Sequence, residues 1–250
     1  MGNGPSIKLQ FENIKKSRNN FELLCVNNFP NTKYYTELKP NYFLISSYEY
    51  WNNENTVDQN KQIRYDVIRA LIQKTDWPII FFLPAKSKST KKFISNIRSN
   101  KNIEIQFFNT TPVSGFINIT HWCFKMNLGM PRPHNVLIPS IMIAINSGFE
   151  NIMLFGADHS WLPEISVDDK NNALISQKHF YKSPIDQKGF MYQNGPKPRK
   201  LHEILYKFML SFKAYHILEQ YAKKRKINIH NYTEGSFIDA FTRKKPSDLW

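Results

Sequence analysis

The chain has two cysteines, Cys25 and Cys123, nine glycines, and no apolar run near the roughly 18 residues a membrane span needs. Two thiols give no disulfide framework and cannot alone form a metal site, so a reducing, cytoplasmic compartment is expected. No leader is read before the first motif, which begins at Gly2. Acidic residues are also scarce, 20 against 34 Lys and Arg, for a formal charge of +14. Such an excess suits nucleic acid, an acidic substrate or an anionic membrane face. The basic clusters at 86–92, 197–200, 223–226 and 243–245 are short, with no zinc finger, RNP motif or long basic stripe among them. A nucleic-acid partner is therefore not expected, while peripheral association with anionic lipid stays open.

At 250 residues the chain has the length of one domain. Short apolar runs at Phe21 to Val26, Asn41 to Ile45, Pro78 to Leu83, Ile103 to Phe108 and Ile152 to Phe155 read as buried parallel strands. They alternate with helical patterns at Ile7 to Lys16, Val57 to Lys74, Ser87 to Arg98, Leu137 to Ser147 and Leu201 to Lys224. The alternation predicts an α/β fold, a Rossmann-like and mostly parallel sheet with helices on both faces. Ile227 to Ile229 reads as a last strand, and Ser236 as the cap of a short helix through Phe241. Residues 110–132 form a packed loop or short helix that the pattern does not place. The segment at about 160–198 lacks strong periodicity and is read as a lid inserted over the ligand face.

In an open α/β sheet the ligand lies outside the carboxyl ends of the strands. The organising stretch is therefore Asn151 to Trp161, in which the strand stops at Gly156 and Asp158 and His159 follow. The opening Gly2-Asn3-Gly4-Pro5-Ser6 reads as a loop that lets backbone amides approach an anion at a helix N-terminus. Such a loop should follow a strand, and Met1 alone precedes it here. A start recorded several residues late is the expectation, because that strand would be central. Collecting strand ends gives Asn3, Asn27, Ser46, Gly156, Asp158 and Thr233 around one crevice. Hydroxyl and amide groups dominate it, which suits a nucleotide better than Mg-triphosphate, since no lysine follows the glycines.

These motifs, Gly-Asn-Gly-Pro-Ser at 2–6, Asn27-Asn28-Phe29 and Gly148-Phe149…Gly156-Ala157-Asp158, resemble the bacterial lipooligosaccharide sialyltransferases that use CMP-sialic acid. They are similar also to the wider group of motility accessory factors and MptE-like pterin diphosphokinases. The likeness covers three motifs and the nucleotide half best. It implies a nucleotide domain with a lid, inverting transfer from a CMP-sugar to a surface glycan, no cofactor, and no metal in the chemical step. It places Asn3 and Asn27 at the nucleotide and Asp158 in the donor site; Gly2, Gly4, Ser6, Ser46, Gly156 and Thr233 are read with them as nucleotide-binding candidates. The chain departs from the pattern in its absent first strand, in Ser46 or Ser47 for an asparagine, in lacking Ser-Gly near residue 135, and in Ser160 for a tyrosine. The chemistry needs a base for the acceptor hydroxyl and donors for the leaving phosphate. His179 is the base candidate, His159 its rival, and Tyr181 and Tyr192 the phosphate donors. Each has an ordinary structural alternative as a loop, capping or packing residue. The other functions considered are a pterin diphosphokinase requiring ATP and Mg²⁺, and a non-catalytic nucleotide-binding accessory protein.

Overall fold

The computed structural model describes residues 1–52, 61–176, 179–180, 189–192 and 197–249. Four strands, β1 (Leu24–Val26), β2 (Tyr42–Leu44), β3 (Ile79–Pro84) and β4 (Ile103–Phe108), form a parallel sheet in that order. Their register aligns Cys25, Phe43, Phe81 and Ile105 across the sheet. Because side chains alternate along a strand, the two faces divide cleanly. Cys25, Phe43, Phe81 and Leu83 meet α1 (Phe11–Lys16), α2 (Tyr34–Leu38), α3 (Lys61–Lys74) and α4 (Lys91–Ile97). Val26, Leu44 and Phe82 meet α5 (Ile117–Lys125), α6 (Leu137–Asn146) and α7 (Leu201–Lys224) on the other side. Burial on both faces is why these strands read as continuous apolar runs. The fold is α/β and Rossmann-like, with helices on both faces of a mostly parallel sheet.

A second parallel sheet carries β5 (Asn151–Leu154), β8 (Asn228–Asn231) and β9 (Thr242–Arg243). Between β1 and β5 lies a gap that Met1 to Gly4 bridge at its carboxyl end. The Met1 amino group donates to Leu24 O at 2.8 Å, Gly2 N to Phe155 O at 2.7 Å, and Asn3 Nδ2 to Val26 O at 3.0 Å. This is the central position expected of the first strand, occupied in abbreviated form. Below it the gap opens into a cavity of about 1260 Å³, lined by Leu23, Leu24, Asn151 to Phe155 and one side of α6 from Leu137 to Ala144. The cavity sits at the amino ends of the strands, away from the ligand end.

Several elements differ from expectation. The helix at Ile7 to Lys16 is a 3-10 turn, Pro5–Leu9, followed by α1, with the break at Gln10. The basic helix at Ser87 to Arg98 is likewise a 3-10 turn, Ala85–Ser89, and α4. The described part of the Val57 to Lys74 pattern is α3; residues 57–60 lie outside the described residues. Residues 110–132 contain α5. No helix follows Ser236: its buried hydroxyl donates to Ala157 O and accepts from Asn231 Nδ2, bonds that hold a loop. The segment at 160–198 is less irregular than its sequence, with an antiparallel hairpin, β6 (Ile165–Val167) and β7 (Ala173–Ile175). Ala173 and Ile175 pack on Ile204 and Phe208 of α7. The buried stripe of α7 runs through Ile204, Phe208, Tyr215 and Leu218, while Leu201 and Leu205 are exposed. Its start is capped by Glu203, whose carboxylate accepts from Lys200 N at 2.8 Å. No described helix is long and apolar enough to cross a membrane.

Candidate functional site

At the carboxyl end of β5 the chain turns at Gly156, whose φ of +64° a side chain tolerates poorly. The opening loop packs against this turn backbone to backbone. Gly2 N and Gly4 N donate to Phe155 O and Gly156 O. A Cβ on Gly2 would strike the Gly156 carbonyl oxygen, and one on Gly4 would strike the Asp158 carboxylate. The glycines therefore serve contact between two protein loops rather than the close approach of a ligand. Asp158 locks the contact. Its Oδ2 accepts from Ser6 Oγ at 2.8 Å and its Oδ1 from Ser6 N at 3.1 Å. Burial raises the Asp158 pKa, an effect the Ser6 bonds partly offset. Thr233 braces the same turn, with Oγ1 accepting from Ala157 N at 3.0 Å.

This overturns the expected phosphate site at the Gly4 to Ile7 helix start. Pro5 has no N–H, Ser6 N is held by Asp158, and Ile7 N donates to Gly4 O at 3.3 Å. The turn is also a short 3-10 element. Ser6 N and Ile7 N are thus taken by the protein itself and are not offered to an outside anion.

On the other side of Asp158 the polar groups are arranged differently. His159, at φ +51°, bonds Tyr215 through Nε2 at 2.6 Å, and Tyr215 Oη donates to Asn135 Oδ1 at 2.9 Å. Because the phenol gives its proton to Asn135, the Tyr215 oxygen accepts from His159 Nε2–H, which sets the tautomer. Desolvation pushes the His159 pKa down to about 3. A ring so weakly basic is neutral at pH 7 and a poor proton acceptor, so His159 falls away as the rival base and becomes a positioning residue. Asn135 Oδ1 also accepts from Leu137 N at 3.0 Å, fixing the start of α6.

Around this chain several polar atoms are buried without a partner among the described residues: Asn135 Nδ2, His134 Nε2, Arg199 Nε and, on the opening loop, Asn3 Oδ1. Buried polar groups are nearly always paired, so such a cluster is unusual. Cations surround it. Burial first, then Arg132, Lys207 and Arg199, drive the His134 pKa down to about 4. Burial and Arg199 lower that of Lys207, with Glu49 of the turn after β2 acting oppositely. Among the described residues none of Arg132, Arg199 and Lys207 has an ion-pair partner. A positive field only partly offset by Glu49, beside donors without partners among the described residues, favours an anion.

The strand-end residues complete the picture. Asn27 adopts φ +51° and donates its N–H to Leu44 O at 3.2 Å. Ser46 is half-buried at the end of β2. His179 is half-buried, and its neighbour Phe180 donates N–H to Asn3 O at 3.0 Å and packs among Phe11, Phe29 and Tyr34. That anchors His179 to the opening loop at the carboxyl end. Tyr192 is exposed beside Phe190 and its hydroxyl has no partner among the described residues. Tyr181 lies outside the described residues. The structure thus gathers Gly2, Asn3, Gly4, Ser6, Gly156, Asp158 and Thr233 into one knot, with Asn27 and Ser46 at the neighbouring strand ends.

Residue patterns alone did not reveal Arg132, His134, Asn135, Arg199 or Lys207, and Tyr215 read as core. The available signals were the Arg-Pro-His-Asn run before α6 and the basic run at 197–200. No group of three or more His, Cys, Asp or Glu among the described residues is placed to hold a metal. Compared with protein-family models, curated proteins and solved structures, the chain matches none.

Proposed function

We propose that the chain is a glycosyltransferase of sialyltransferase type that transfers a sugar from a CMP-activated donor to a surface glycan by inversion. The observation that carries the reading is the set of partnerless buried polar atoms at His134, Asn135 and Arg199, ringed by unpaired cations at the carboxyl end of a Rossmann-like sheet. A nucleoside monophosphate ester supplies the missing partners: charge for Arg132, Arg199 and Lys207, and acceptors for the orphaned donors. Asn3, Asn27 and Ser46 offer neutral hydrogen bonds to the nucleoside. As the sugar–phosphate bond lengthens, negative charge grows on the leaving CMP, and the fixed cations favour that state over the ground state. His179 takes the acceptor hydroxyl proton. Asp158, His159 and Tyr215 hold the loops in place and touch no reacting atom.

A thermal-shift panel with CMP, CDP, UDP, GDP, ADP and ATP with Mg²⁺, followed by a donor-hydrolysis assay, tests the reading. Stabilisation by CMP without metal, with slow release of CMP from its sugar ester, is expected. A shift with ATP and Mg²⁺ alone would replace it with the diphosphokinase. Binding of CMP without turnover would replace it with an accessory nucleotide-binding protein. His179→Ala should abolish transfer and leave CMP binding intact; unchanged turnover removes His179 from the mechanism.

A further inference from the structure

We infer that the outer face of α5 is a docking surface for an anionic lipid bilayer. The helix has nine residues. One side buries Thr120, His121 and Phe124, with His121 and Phe124 against the Tyr221 ring of α7 at 5.2 and 5.4 Å between centroids. The opposite side, spaced at Ile119, Trp122 and Met126, faces outward and is exposed. Phe116 at the helix start and Leu128 just past its end extend the patch; Phe116 is 82% exposed and Trp122 56%. Water is a poor environment for two aromatic rings and three long aliphatic chains held side by side.

Charge identifies the occupant. Lys125 closes α5, and the C-terminal end of α7 brings Lys223, Lys224, Arg225 and Lys226 alongside. The two helices are tied there, since Lys224 Nζ donates to Asn118 Oδ1 at 3.1 Å. Lys223 pairs with Glu219, and the other cations have no ion-pair partner among the described residues. A second copy of a chain carrying +14 would set these cations against their own kind, whereas an anionic headgroup layer neutralises them. Trp and Phe on a short helix flanked by lysine suit insertion to the level of the headgroups, lying in the plane rather than spanning. The surface argument does not depend on any enzymatic activity.

Co-sedimentation of the full chain with vesicles of phosphatidylcholine alone, and of phosphatidylcholine with phosphatidylglycerol, tests it. Binding should occur to the anionic vesicles and fall as salt is raised through the range in which the Debye length shrinks from about 30 to 10 Å. The double variant Phe116→Ser/Trp122→Ser should lose at least tenfold in the vesicle partition coefficient while keeping the native unfolding midpoint, because both side chains are exposed. Lys125→Glu/Lys224→Glu should lose a similar factor and retain the apolar face. Native protein left in the supernatant at low salt would overturn the inference. So would serine variants that bind as the native chain does, or a solution dimer that those serines dissociate.

Discussion

Two loops are tied to the turn after β5, one through Asp158 and one through His159 and Tyr215, and they treat their polar groups differently. The opening loop, Gly2 to Ser6, has its first amides bonded, its glycines filled by a neighbouring backbone, and its serine held by both oxygens of Asp158. The Arg132 to Asn135 segment, with Arg199 and Lys207 across from it, has buried donors without partners and cations without ion pairs among the described residues. The first is organised for stability, and the second is where the proposed ligand would be held. A glycine-rich motif at a strand end is therefore not by itself a ligand cradle; what decides is whether its N–H groups are already taken.

The comparison breaks most visibly on the closed side. Gly156→Ala adds a side chain at φ +64° with its Cβ 2.7 Å from Gly2 O. Left-handed strain of about 1–2 kcal/mol and overpacking of about 1–3 kcal/mol together predict a loss near 3 kcal/mol. A melting temperature lowered by roughly 10 °C should register it by calorimetry. A drop under about 2 °C would mean the two loops are not in contact.

Tyr215→Phe comes next. It strips the hydroxyl that links His159 to Asn135 and leaves His159 Nε2–H without its acceptor, while Asn135 Oδ1 keeps Leu137 N, a cost of about 1–3 kcal/mol by denaturant unfolding. It should also weaken CMP binding, because Asn135 loses its brace. Lys207→Met sharpens the contrast from the open side. Removing a half-buried, unpaired cation should leave stability unchanged or slightly raised while CMP binding falls about tenfold, as expected for one lost charged contact of about 1.5 kcal/mol. Equal losses of stability and binding would assign Lys207 to the fold.

Acid acts on the histidines with a defined sign. His159 and His134 titrate near 3 and 4 in the folded chain, both below the ordinary 6.5. Below pH 6.5 the unfolded chain binds more protons, so their contribution is present above that value and declines as pH falls toward 3. Asp158, raised by burial, works oppositely near pH 4, so the interval from 6.5 to 5 reports the histidines. Urea midpoints that are flat across that interval in the native chain, or whose slope His159→Gln leaves undiminished, would contradict the assignment.

Much of the architecture was legible because both faces of the main sheet are buried. The runs in β3 and β4, and the repeat through Ile204, Phe208 and Tyr215, allow few other arrangements. Legibility fails where long-range bonds decide. Gln10 breaks a helical pattern because the Gly2 to Ser6 loop must first meet Asp158, 152 residues away from Ser6. Ser236 looks like a cap, yet its hydroxyl is taken by Ala157 and Asn231. At the candidate site the strand ends were readable one by one. The anion cluster was not, because His134, Arg199 and Lys207 come from three separated segments and share no spacing. Tyr215 followed the apolar stripe of α7, and its sequence position does not show which way its hydroxyl is bonded.

The most direct measurement is isothermal titration of CMP, without metal, into the native chain and into Arg132→Gln/Lys207→Met. The account predicts metal-independent binding to the native chain and at least a tenfold loss in the double variant, with both proteins unfolding at similar temperatures. Equal affinity for the two proteins, or no binding by the native chain, would contradict it.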